Sequence, residues 1–507
     1  MDELTLVHEK DGKMTTKLSL ANLGKITGRV ATPKYAQASL KPGILHFGVG
    51  NFHRAHMAVY LDDLFNLGVD HDWALVGAGV MPSDEVTRQK LASQNFLTTV
   101  VEQDNDLSTA HITSPLLDFI APADKAGMIA RLCSREIRIV SLTITEGGYF
   151  IDAATGKFNP AHPAILKDAA SPDDPSTVFG FIVAGLAKRR AAGTPPFTVM
   201  SCDNVPHNGV VTRNSVVGLA KLVDPSLAEW ITANVAFPNG MVDRITPATG
   251  DRERQICAEM FGVEDVWPVF CEEFKQWVLE DNFTCGRPAL EKVGVTFVKD
   301  VTPYENMKIR MLNGGHAVIA YVSGLLDIHF VHECMENPLV SAFLAKVENE
   351  EIMPCVPPVP NTNLNDYLKL VERRFANPKI GDTVRRLCLD GSNRQPKFIV
   401  PVIADRLKAG KGMAGLALAS ALWCRYCYGT TESGAVIEAN DPNWDHLQAV
   451  ARKAKDNPQA WLAMADIYGD TANSTLFADA FSTALRAVWT TGSEATVKAY
   501  LAGHNVS

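Results

Sequence analysis

Residues 43–50, Gly-Ile-Leu-His-Phe-Gly-Val-Gly, limit this chain's fold more than any other stretch: a short apolar run ends in two glycines one residue apart. Apolar residues then recur with helical spacing over 51–67, and Trp73 to Val80 forms a second apolar run. Unbroken apolar runs of this length suit strands covered on both faces, so the order is strand, glycine turn, helix, strand. Pro82-Ser83-Asp84-Glu85 opens the next helix with residues that favour a helix N-terminus. Phe96 to Glu102 and Ala110 to Thr113 are expected as extra, more exposed strands, whereas Ile137 to Thr145 and Phe197 to Ser201 are strongly apolar ones. Helices are expected at 179–193 and 209–222. This alternation predicts an α/β fold with a parallel, doubly wound sheet of Rossmann type.

After about residue 300 the pattern turns helical, over 303–324, 337–350, 363–375, 398–410, 412–428, 445–454, 458–468 and 475–502. Pro354, Pro357, Pro358 and Pro360 mark a long loop among them. The chain of 507 residues accommodates two domains. We expect a dinucleotide-binding domain with an N-terminal extension over 1–298 and a mostly α-helical C-terminal substrate and catalytic domain over 299–507, with a cleft at their junction.

Charge and cysteine content narrow the function classes. A net charge of −9 offers no broad basic field, which argues against nucleic acid or an anionic membrane as partner. The charged N-terminus lacks a secretory apolar core, and no apolar run reaches spanning length. Ten cysteines over the whole chain are too sparse for a disulfide framework, so a reducing cytoplasm is expected. Cys424 and Cys427 spell C-x-x-C without a second pair or a nearby His, and read as buried helical thiols; metal ligation is not expected.

Chemistry concentrates in Glu305-Asn-Met-Lys308-Ile-Arg-Met-Leu-Asn313-Gly-Gly-His316. On an ideal α-helix Asn313 lies about 140° and His316 about 80° from Lys308, so all three can face one cleft. An amine, an amide and an imidazole suit oxidation of an alcohol: a base takes the hydroxyl proton and two groups hold the oxygen. A polar, solvated helix face has the same spacing. Gly48-Val49-Gly50 has the strand–turn–helix context of a dinucleotide fold, with Asn51 and Phe52 following and His53 where a third glycine usually stands. Asp84 or Glu85 could accept ribose hydroxyls, and no Arg or Lys stands in 80–85 to clamp a 2′-phosphate, which favours NAD. Ser201-Cys202-Asp203-Asn204 and Thr145-Glu146-Gly147-Gly148-Tyr149 each follow a strand, where ligands bind in such sheets. Asp243-Arg244, set between apolar residues, reads as a structural ion pair.

Together these segments, in this order from about residue 40 to 430, resemble the polyol-specific long-chain dehydrogenase/reductase family. The resemblance implies a monomeric enzyme without a metal, interconverting D-mannitol and D-fructose with NAD(H); D-arabinitol, D-sorbitol or a hexuronate such as fructuronate are the alternatives. A non-catalytic NAD(H)-sensing protein is a reading from another class. By the same resemblance Lys308 is the general base, with its pKa depressed by desolvation, and Asn204 and Asn313 hydrogen-bond the reacting oxygen. His316 orients the substrate, while Glu305 and Glu146 serve proton movement and its gating. Asp243, Arg386 and Arg394 contact the polyol, and Arg394 stands where relatives carry Lys. Tyr304 and Lys308 also spell Y-x-x-x-K, but the large helical half beyond them does not fit the compact enzymes that use that pair.

Overall fold

The computed structural model describes residues 9–10, 13–26, 28–105, 107–152 and 156–503. The charged N-terminal residues 1–8 lie outside them. The chain divides into two compact units, Met1–Val301 and Thr302–Ser507.

In the first unit five parallel strands run in the order Thr198–Ser201, Ile139–Leu142, Pro42–Phe47, Ala74–Ala78, Leu116–Phe119. Successive side chains of a strand point to opposite faces. Leu45, Val76, Val140 and Val199 therefore join a core with helices Lys125–Cys133, Val178–Ala191 and Asn208–Val223. Ile44, Leu75, Ile139 and Met200 join a second core with helix Met57–Asn66 and Trp277. Both faces are covered, which is why these strands read as continuous apolar runs. Each such fully buried side chain stabilises the unit by about 1.5–3 kcal/mol.

The doubly wound parallel sheet is as expected except for its edge strand Leu116–Phe119, and two features outside it differ. Thr98–Gln103 and Ser108–Thr113 do pair as antiparallel strands, but Val100, Val101, Ala110 and Ile112 are buried rather than exposed, because the hairpin belongs to a separate four-stranded sheet with Val269–Glu272 and Val30–Ala31. The second is a three-stranded sheet of Gly240–Asp243, Gln276–Glu280 and Thr296–Val298 that the sequence pattern does not announce. Its strands are short and mixed in polarity, so neither period nor length distinguishes them.

The second unit is helical among its described residues. Helix Gly314–Leu325 is buried along most of its length and packs against Ala414–Cys427, in which every residue from Gly415 to Cys427 is buried. Cys424 and Cys427 lie in that interior, and burial holds both thiols far above their ordinary pKa, as inert buried cysteines. Glu351 accepts hydrogen bonds from the Gly415 and Leu416 amides (2.7 and 2.9 Å), satisfying donors at the start of that helix. The span expected as one helix over 475–502 breaks at Gly492, whose φ of +87° lies in the left-handed region. Among the described residues no helix is long and apolar enough to cross a membrane.

Candidate active site

In the first unit the glycine turn caps the central strand Pro42–Phe47. Gly48 has φ +92°, and a Cβ there would stand 2.0 Å from the Thr143 carbonyl oxygen; only glycine fits. Gly50 meets no such wall: among the described residues only Gly48 O comes within 4 Å of an added Cβ, at 3.9 Å. The fold therefore demands the first glycine, and the second leaves open the space where a pyrophosphate approaches in this kind of turn.

The residues after the turn are committed to holding it. Asn51 donates to the Pro247 carbonyl and to Thr249 Oγ1 (3.1 and 3.2 Å) and accepts from Arg54 (2.8 Å). Phe52 stacks on His56 with ring centres 4.9 Å apart. His53, in the usual place of a third glycine, lies flat against His46 at 3.5 Å, and neither of its ring nitrogens has a hydrogen-bond partner among the described residues. Burial, then the charge of neighbouring bases, keeps His53 well below the ordinary imidazole pKa. His46 bonds Ser141 Oγ (2.8 Å) and Thr143 Oγ1 (3.0 Å), and burial lowers its pKa to about 3.

Asp84 turns back into its own loop. Its Oδ2 accepts from the Val80 and Met81 amides (2.9 and 2.8 Å), a helix-start arrangement that leaves Oδ1 out of these bonds. Glu85 is taken by Arg88 (2.7 and 2.8 Å) and Gln89 (2.9 Å), whereas Asp84 Oδ1 stays outside the bonds to its own loop.

At the carboxyl edge of the same sheet, Asp203 ties two loops together. It accepts from the Ile144 and Thr145 amides (2.9 Å each) and from the Tyr149 hydroxyl (2.6 Å). Thr145 sits at φ +63°, a conformation costing about 1–3 kcal/mol that the Asp203 bonds hold in place. The loop so fixed presents Glu146, and the next residue after Asp203 presents Asn204; both are exposed. The sequence named these two and passed over Asp203, although its Asp-Asn position after a strand was visible.

Asp243 ends the strand Gly240–Asp243 and is buried. Arg244 has a distant acid as partner: its buried guanidinium pairs with Glu102 and donates to the Ala55 and Glu272 carbonyls (2.6 and 3.0 Å). The ion pair observed is therefore Arg244 with Glu102, 142 positions away in sequence, where the sequence reading set Arg244 beside Asp243.

In the second unit the decisive feature is a π-helical turn, Lys308–Asn313, inserted between α-helix Thr302–Met307 and α-helix Gly314–Leu325. The ideal-α geometry expected above does not hold here. A π turn closes i to i+5, so Asn313 follows Lys308 by one turn instead of being splayed away from it. Lys308 and Glu305 are both largely buried. His316 packs flat on Phe375 at 4.0 Å, and its Nε2 is shielded and without a hydrogen-bond partner among the described residues. Burial, then the charges of Arg386, Arg374 and Arg394, holds its pKa well below 6.5, so the ring is a neutral imidazole at physiological pH.

Arg386 forms a two-pronged pair with Asp382, and Arg394 donates to the Arg386 and Leu387 carbonyls (3.2 and 3.0 Å). The charges of Arg386 and Arg394 thus reach His316, and so does that of Arg374, which no local signal marked. Among the described residues no three His, Cys, Asp or Glu side chains are grouped to hold a metal ion.

Residues 42–292 match the model of the mannitol dehydrogenase Rossmann domain, and residues 300–489 that of the mannitol dehydrogenase C-terminal domain. The chain is 60% identical over 478 residues to a mannitol 2-dehydrogenase of Cereibacter sphaeroides, covering 94% of this chain and 100% of that one. A mannitol 2-dehydrogenase of Aspergillus terreus is 41% identical, over 96% of this chain and 99% of that protein. Among solved structures, the Pseudomonas fluorescens mannitol 2-dehydrogenase in ternary complex with NAD and D-mannitol superposes with a TM-score of 0.86 at 43% identity, over 96% of this chain and 100% of that one. A D-sorbitol dehydrogenase superposes with a TM-score of 0.88 at 34% identity, over 95% and 100%. Strand, glycine turn and π-helical lysine thus stand in a chain matched along both domains, and this protein belongs to the mannitol dehydrogenase family.

Proposed function

We propose that this protein is a polyol dehydrogenase that interconverts D-mannitol and D-fructose with NAD(H). The observation that carries the reading is the π turn, which sets Asn313 one turn from Lys308 and is followed by His316 with a shielded, unpartnered Nε2. The 60% identity to the Cereibacter sphaeroides enzyme supports the substrate, and the likeness to a structure holding NAD and D-mannitol supports the cofactor.

Gly48 and Gly50 fit a dinucleotide: one fixes the turn and the other leaves its approach clear. The amides of the turn would hold the pyrophosphate and Asp84 Oδ1 a ribose hydroxyl. Bound NAD⁺ supplies the hydride acceptor. Lys308 takes the proton of the reacting hydroxyl, and Asn204 and Asn313 donate hydrogen bonds to that oxygen as negative charge develops on it. His316, held neutral, orients the polyol through Nε2. Glu305 and Glu146 serve the path of the proton, and Asp243, Arg386 and Arg394 contact the remaining hydroxyls. We place the protein in the cytoplasm, a reading supported by ten cysteines that are all unpaired thiols, and take it as a monomer from the resemblance alone.

The test is NADH formation by the purified protein over a panel of D-mannitol, D-sorbitol, D-arabinitol and hexuronates, each with NAD⁺ and NADP⁺. The expected result is highest kcat/KM for D-mannitol with NAD⁺, and for D-fructose in reverse. Highest kcat/KM on a hexuronate would move the substrate to one whose carboxylate the arginines around His316 can hold. Binding of NADH without turnover of any substrate would leave a sensor.

Gly48→Ala separates cofactor from substrate. Left-handed strain of about 1–3 kcal/mol and a clash with Thr143 are expected to weaken NADH binding about 100-fold or more, read by fluorescence titration. An unchanged Kd would show that the Gly48 turn does not carry the dinucleotide.

A further inference from the structure

Glu348 is a carboxylic acid with no exposed surface, and neither of its oxygens has a hydrogen-bond partner among the described residues. Buried carboxyls without partners are rare, because an ionised one costs several kcal/mol to desolvate. It opens a second π-helical segment, Glu348–Ile352, which packs against the Lys308–Asn313 turn. A Cβ added at Gly315 would stand 2.9 Å from Glu348 Oε1, 3.3 Å from Leu344 Cδ1 and 3.6 Å from Phe375 Cε2. Gly315 thus lies in a socket made by the Glu348 carboxyl, a leucine and the same phenylalanine that stacks under His316. The Gly314-Gly315 pair separates Asn313 from His316.

We propose that Glu348 is a positioning residue for the reaction assigned above: its carboxyl, wedged against Gly315, sets the turn that carries Asn313 and His316. The inference rests on that assignment and goes beyond it. Burial, and next the charge of Glu372, hold Glu348 well above the ordinary carboxyl pKa, so it is a neutral wedge. Among the described residues Glu372 is the other acid whose charge reaches Glu348, and the neighbouring bases are engaged elsewhere. Arg310 is held by Asp405 and the Cys355 carbonyl, and Arg406 by the Glu350 carbonyl. Glu351 is occupied by two amides, and Lys346 by the Tyr500 carbonyl. Lys308 and His316 are the remaining ionisable groups of the turn itself. Once ionised, Glu348 carries a charge to which none of the described residues donates, and the wedge must leave its socket.

The experiment compares the pH profiles of kcat/KM for D-mannitol oxidation in the wild type and in Glu348→Gln. The wild type is expected to gain activity as Lys308 loses its proton and then to lose it again at higher pH; the amide, which cannot ionise, is expected to lack that second, descending limb. Gly315→Ala provides an independent arm should the first variant fold poorly. Its methyl group displaces the carboxyl and is expected to raise KM for D-mannitol by about tenfold or more while NADH binding is unchanged. An active wild type whose profile superimposes on that of Glu348→Gln, or a Gly315→Ala enzyme with unaltered KM, overturns the positioning role alone. A wild type that turns over none of the polyols overturns the assigned reaction and the positioning role with it.

Discussion

Lys308→Ala is expected to lower kcat for D-mannitol oxidation by about 10²–10⁴-fold, the range for loss of a positioned general base. NADH affinity should be nearly unchanged, because the glycine turn belongs to the first unit and Lys308 to the second. Alanine leaves no group at that point of the π turn able to take the proton of the hydroxyl. Small amines added to the variant should restore part of the rate, with a dependence on the amine's pKa. Steady-state kinetics and NADH fluorescence on the same preparation distinguish the outcomes. A variant that keeps most of its rate means the proton leaves by another group; one that loses NADH binding as well means that the substitution disturbed the fold.

A second large effect is expected in acid. His46, His53 and His56 are fully or almost fully buried in the first unit, and burial is the first cause of each lowered pKa: to about 3 for His46 and His56, and well below 6.5 for His53. These imidazoles stay neutral when folded and take up protons near 6.5 when unfolded. Their stabilisation is therefore complete above pH 6.5 and is lost as pH falls towards about 3 for His46 and His56. Each contributes a slope of about 1.4 kcal/mol per pH unit. Asp62 opposes them: burial raises its pKa to about 6, so its share of stability grows as pH falls from 6 to 3.8. Asp203, also raised mainly by burial, acts in the same direction.

Taken by themselves, His46 and His56 against Asp62 leave about one proton, a loss of roughly 1.4 kcal/mol per pH unit from these three groups below pH 6. Urea unfolding followed by tryptophan fluorescence over that range should show it. His53→Phe keeps a ring on His46 but removes one titrating group, and should flatten the slope by about 1.4 kcal/mol per pH unit. Equal slopes in the two proteins would mean that His53 is not part of the acid response.

The Rossmann-type sheet was legible because its strands are covered on both faces and so carry unbroken apolar runs, and because Gly48 sits where only glycine fits. The edge strand Leu116–Phe119, containing Asp118, and the three-stranded sheet were not legible, since neither has a clean period. Motifs marked Lys308, Asn313, His316, Asn204 and Glu146 as the candidate groups, because the chemistry proposed for them can be read from side-chain type and local context. Their supports were not marked. Asp203, Arg374 and Glu348 act through amides, charge and packing supplied by segments far away in sequence, and a single residue gives no sign of that.

By itself, the sequence determined the order of elements, the obligatory turn and the inventory of reactive groups, because strand runs, helix spacing and glycine turns depend on neighbours a few positions away. Only the tertiary structure decided that Lys308–Asn313 winds as a π turn, that Arg244 pairs with Glu102, that Asp84 spends one oxygen on its own loop, and that a neutral carboxyl fills the space at Gly315. Burial removes water from these groups and leaves each to be satisfied by whatever the fold brings beside it, and long-range packing alone selects that partner.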